Sequence, residues 1–160
     1  MSGVVKFLLL VTMSVWVGSI VFFSFVQAPT VFRTLEPESA ARLQRATFPH
    51  YYLLGIVCAA LGIVWVAALL AMGAVRLPAG VMCLLLLAAG GAASLWMRQG
   101  VAPQMARVRQ ERVVAAAGSQ EALVLEREWK ALHRLSVQVN AAVLLSGLVV
   151  LGVLVWARIL

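Results

Sequence analysis

The chain has 160 residues, 63% of them hydrophobic and only 12% charged, with a mean hydropathy of +0.98. Soluble domains carry about 25% charged residues, so an ordinary soluble core is excluded. The formal net charge of +7 comes from residues that flank apolar runs. It reads as a topology signal, with attraction to anionic headgroups as a second consequence, and not as a nucleic-acid footprint.

Four runs without Asp, Glu, Lys or Arg stand out: Phe7–Phe32, Ala46–Val75, Leu77–Met97 and Leu135–Ala157. Each exceeds the roughly 18–20 residues that cross a hydrocarbon core of about 30 Å. The predicted class is therefore all-α. A single transmembrane domain covers residues 1–160, a polytopic membrane four-helix bundle with spans near 4–26, 51–74, 79–97 and 135–157. Helices 3 and 4 are expected to extend into a cytoplasmic hairpin.

The first span imitates a signal peptide: Lys6, a long apolar run, then Val26-Gln27-Ala28. The run is longer than the usual 7–15 residues, and Pro29 would follow the cut, so the span is expected to be retained. Trp16 lies at mid-membrane beside Gly18, where a small residue allows close helix approach. Pro29 is expected to end the helix, because proline lacks a backbone donor. Glu36-Pro37-Glu38 then looks like a helix start, and residues 38–45 are expected to form a short separate helix at the interface. Phe48-Pro49-His50-Tyr51-Tyr52 leads into span 2, its tyrosines at headgroup level.

Span 3 follows a tight connection at Gly73–Pro78. Its Ala88–Ser94 stretch holds only small residues and reads as a slim, central packing helix. Gly100 and Pro103 are expected to break the chain as it leaves the membrane. Met105–Ala117 reads helical. Gly118-Ser119 is a stop followed by a cap, and from Ser119 no breaker appears until Gly147. The fourth helix should then project about 16 residues, or roughly 24 Å, beyond the membrane. Met105–Ala117 would fold back on it, and Glu126 and Lys130 would pair at i,i+4.

Ten of the 13 Lys and Arg residues lie in the 1–2 and 3–4 connections. That side should be cytoplasmic, with both termini outside. Cys58 and Cys83 fall toward opposite membrane faces, so no disulfide is expected.

His133, Ser136 and Asn140 are spaced three and four apart and share one helical face. His50 and Tyr51 open span 2 at the same depth. Polar groups inside a membrane are functional candidates by default. The candidate ligand-binding set is therefore His50, Tyr51, His133, Ser136 and Asn140. Gln27, Tyr52 and Gln99 should lie nearby. Asn140 sits two turns deeper than His133, where an unsatisfied amide is expensive; helix glue and ligand contact both fit it. The histidines could cap helix ends at the interface, or ligate a b-type haem as two neutral imidazoles. Catalytic residues are assigned to none: there is no nucleophile–base pair, phosphate loop or HExxH, and no carboxylate lies in a span.

Several pieces in fixed order carry a resemblance: Trp16-Val17-Gly18, Pro29 with Phe32, Phe48-Pro49-His50-Tyr51-Tyr52, Val101-Ala102-Pro103, and His133-Arg134-Leu135-Ser136 with Asn140. Together they resemble the transmembrane protein 205-like domain family, small four-span membrane proteins of animals and bacteria. The resemblance implies a membrane bundle. The animal members are linked to drug resistance and trafficking, and the first span here is less glycine-rich than theirs.

The expected function is a membrane protein, more a binder than an enzyme, that binds or passes a small-molecule ligand at the polar pocket near the cytoplasmic end. The alternatives are a structural subunit that docks through the hairpin and a haem-binding redox protein using His50 and His133. The expected setting is a bacterial inner membrane, with the lipid bilayer and further copies of the chain as partners. A homo-oligomer, dimer or trimer, is expected.

Overall fold

In lipid no water satisfies a backbone amide, so each apolar run must close its hydrogen bonds internally as helix. The computed structural model describes residues 2–156 and does so with four long helices: α1 (Ser2–Thr34), α2 (Pro37–Ala71), α3 (Leu77–Val114) and α4 (Gln120–Trp156). No strand occurs among the described residues. The expected end of the fourth span at residue 157, and Arg158, lie outside them.

The helices pack as a bundle, with α2 against α1 and α3, and α4 against α1 and α3. Leu9, Met13, Trp16, Cys58, Val66, Leu87 and Val150 fill its centre. The outer surface is apolar as well: Phe7, Val64, Leu85 and Leu145 are all more than half exposed. Apolar faces on both sides of a helix require lipid outside and partner helices inside. The chain is a multi-pass membrane protein.

At about 1.5 Å per residue each helix is about 50 Å long, well beyond a hydrocarbon core of about 30 Å. The surplus lies at one end, the hairpin end, where α1 joins α2 and α3 joins α4. There the expected hairpin is present: residues Ala102–Val114 fold back on the start of α4. Ser119 caps α4, its Oγ accepting from the Ala122 amide at 3.1 Å. Gly118 at φ 80° and Gly73 at φ 64° supply the left-handed residues of the two turns. Glu126 pairs with Lys130 at 3.2 Å and with Arg112, which lies 5.2 Å from the Trp129 ring centre.

Three expected breaks are absent. The separate helix at 38–45 is the first part of α2, which runs unbroken from Pro37 through Pro49. Pro29 does not end α1, and Gly100 and Pro103 do not break α3. The cause is the same in both helices. A five-residue π turn, Phe23–Gln27 or Met97–Val101, precedes an Ala-Pro pair. The Ala28 amide donates to the Phe23 carbonyl, and the Ala102 amide to the Met97 carbonyl. The wider turn takes up the residue that cannot donate, and each proline then sits in the first turn of the continuing helix, where it is tolerated.

The small-residue stretch of α3 is two-sided. Gly90 and Ser94 are buried, while Ala88, Ala89 and Ala92 face outward. Gly90 makes room for an aromatic ring. A Cβ there would lie 2.7 Å from Cη2 of Trp16, which is 1% exposed. The two buried cysteines are free, as expected.

Gly90→Val should therefore overpack the centre and cost about 1–3 kcal/mol. Gly152→Val, where nothing lies within 4 Å of the added carbon, should leave stability nearly unchanged. Thermal unfolding of both variants in detergent checks this; equal melting temperatures would refute the packing argument.

Candidate functional site

The polar groups of three helices meet just inside the hairpin end. Tyr51 of α2 donates its hydroxyl to Asn140 Oδ1, and Asn140 Nδ2 donates to Ser24 Oγ of α1 at 2.9 Å. One α4 side chain thereby ties α1 to α2. Phe23 stacks on Tyr51 with ring centres 4.4 Å apart, and Phe48 stacks on Tyr52 at 5.7 Å. A turn or two further toward the hairpin, Gln27 Nε2 donates to Gln44 Oε1 at 3.4 Å.

Behind Tyr51 and Asn140 lies a small cavity of ≈ 20 Å³, with Ser19, Ser94, Ser136 and Tyr52 also in its wall. A volume of that size takes one water molecule. A second cavity of ≈ 280 Å³ opens on the flank of the bundle between α2, α3 and α4. Its lining includes Arg45, Phe48, Tyr52, Arg98, Arg109 and Trp129. Tyr52 and Ser136 line both cavities, so the two volumes share a wall.

Of the five expected site residues, Tyr51, Ser136 and Asn140 come together around the small cavity. The two histidines do not join them. His50 is exposed, and its Nδ1 lies 3.1 Å from the Ala46 carbonyl of its own helix. His133 is exposed and stacks flat on Trp129, centres 5.2 Å apart; its carbonyl accepts from Ser136 Oγ. Both histidines face outward and are held by local contacts. Gln99 is also exposed. Their rotation about the helix axis was not legible in the sequence.

Ser24 was missed, since nothing at an apolar helix end marks a serine as a partner for an amide 116 residues away. The arginine-lined flank was missed because its arginines come from two helices and the rest of its wall from a third as well. At the other end of the bundle, Trp65 Nε1 donates to Thr12 Oγ1 at 3.2 Å, a second polar tie between α1 and α2.

The Tyr51–Asn140 tie should show as a coupling energy. Hydrogen bonds between membrane helices average about 0.6 kcal/mol and reach about 1.7. Tyr51→Phe, Asn140→Ala and the double variant, unfolded in mixed micelles, should return a coupling in that range. Additive losses would mean that the contact carries no stability.

Comparison with known proteins gives one match. A family model described as a domain of unknown function (DUF4149) matches residues 11–114, from within α1 to the end of α3. The match takes in Ser24, Tyr51 and all three arginines of the flank cavity, and stops short of Asn140. No curated protein and no solved structure matches the chain. With more than half of its residues matched, the chain, a multi-pass membrane protein, belongs to the DUF4149 family, a domain of unknown function.

Proposed function

We propose that this chain is a non-enzymatic protein of a bacterial inner membrane, with both termini outside, that binds or passes a small amphipathic ligand at the hairpin end of its bundle. The ordered motifs quoted above support placing it near the transmembrane protein 205-like proteins. The observation that carries the ligand reading is the shared wall. The flank cavity approaches the size of known ligand sites, about 300 Å³ and upward. It is mostly apolar with a few charged groups, and it backs onto the Tyr51–Asn140 cluster through Tyr52 and Ser136. The polar cluster then serves as the rigid floor of the site, and the flank cavity receives the ligand.

A second reading has its own observation. Val113 and Val114 at the hairpin tip are 81% and 83% exposed, an apolar tip that suits a docking subunit. The outward face of Ala88, Ala89 and Ala92 likewise supports a homo-oligomer, since small residues allow close helix approach.

Native mass spectrometry from mild detergent, with a polar lipid extract added, tests the ligand reading and the assembly together. The wild type should retain bound small molecules and appear as a dimer or trimer. Ala106→Trp, which fills the flank cavity, should lose the bound species. Retention by this variant would refute the ligand reading, and monomer alone would refute the oligomer.

Orientation has a separate test. Reporter fusions active only outside the cytoplasm should be active at both termini; activity confined to the cytoplasm would invert the topology.

A further inference from the structure

Among the described residues, the basic residues of the hairpin end divide into those paired with carboxylates, those lining the flank cavity, and Arg33, Arg127 and Arg134, which do neither. Arg42 pairs with Glu38 at 3.7 Å, Arg107 with Glu111 at 3.6 Å and Glu128 at 3.7 Å, and Arg112 with Glu126. Among the described residues, no carboxylate comes within 4.0 Å of Arg45, Arg98 or Arg109. These three line the flank cavity. Arg109 is half-buried there. Burial lowers its pKa, as do the neighbouring charges of Arg45 and Arg112, with Glu38 acting the other way. Arg109 thus faces like charges at Arg45 and Arg112 with no carboxylate in contact, an arrangement that an anion relieves.

The depth of the cavity narrows the choice of anion. Arg45 is the last charge before the uncharged run that begins at Ala46, and Arg98 is the first after the run that ends at Met97. Arg45 and Arg98 therefore border the apolar runs near headgroup level, and Arg109, eleven residues beyond Arg98 on α3, lies about 16 Å further out along the helix. Phe48, Tyr52 and Met105 supply apolar wall beside them. A free anion has no use for that wall, whereas an amphiphile uses both parts.

We propose that the flank cavity binds an anionic phospholipid of the adjoining leaflet, its headgroup lying along Arg98, Arg45 and Arg109 and its first acyl carbons along Phe48 and Tyr52. The proposal rests on the ligand reading of this cavity and names its ligand class. Arginine suits this role because its planar fork meets a phosphate with two parallel hydrogen bonds. Tyr52 and Ser136, shared with the inner cavity, connect lipid occupancy to the Tyr51–Asn140 tie.

The test is lipid titration of the detergent-solubilised protein, read by native mass spectrometry. Phosphatidylglycerol should bind about tenfold more tightly than phosphatidylcholine, and each of Arg45→Gln, Arg98→Gln and Arg109→Gln should weaken it about tenfold. Arg109→Lys should keep much of the headgroup preference, and Arg127→Gln, outside the cavity, should keep all of it. Millimolar inorganic phosphate should not displace the lipid; if it does, the site is a free-anion site and the lipid proposal falls. Equal binding of both lipids, abolished by Ala106→Trp, would overturn the charge recognition and leave the ligand reading standing. Equal binding that survives Ala106→Trp, or no binding of either lipid, would overturn both. Circular dichroism of each variant separates lost binding from lost fold.

Discussion

Proline in a membrane helix leaves a carbonyl without its donor and pushes its ring toward that carbonyl. This chain places Pro29, Pro49 and Pro103 within a short stretch of the hairpin end, on three different helices. None of the three ends its helix. Two are accommodated by π turns that insert one wide turn just before an Ala-Pro pair. α1, α2 and α3 consequently run on through their prolines, and α4 has none. The hairpin end is built on those continuations.

The wide turns sit at the level of the polar cluster. Ser24 and Phe23 are both residues of the first π turn, and they supply the α1 contacts to Asn140 and Tyr51. Met97 and Val101 bound the second, and both are buried against Tyr52. Regular α-helix through these stretches would rotate each side chain beyond them by about 100°. The break in regularity and the convergence of polar groups are therefore one feature. Asn140 has both amide ends satisfied by protein, which is how a lone amide at this depth is tolerated.

Charge is sorted by face at the same end. Glu38, Glu111 and Glu128 lie beside arginines on the outer faces, while the half-buried Glu126 meets Arg112 between α3 and α4. Such exposed pairs contribute little to stability, so the hairpin depends more on Leu125 and Val108, which are buried, and on the Ser119 cap. The flank cavity collects three of the guanidinium groups that these pairs leave over.

Run lengths and local caps are properties of contiguous residues, and whatever depends on them can be read from the chain alone. Four spans, the Gly118 stop, the Ser119 start and an unbroken α4 were all legible. So was the shared helical face of Ser136 and Asn140, because helical periodicity converts spacing into relative direction. Rotation about the helix axis has no such local rule. It is set by what packs alongside, and so His50 and His133 turned outward while Ser24 turned in. Pro29 and Pro103 looked like stops because the rule for proline is local. Packing overrides that rule here, since helices held on neighbours keep their course through a widened turn. The clustering of Arg45 with Arg98 and Arg109 was likewise beyond local reading, because only the packing of α2 against α3 sets residues so distant in the chain around one cavity.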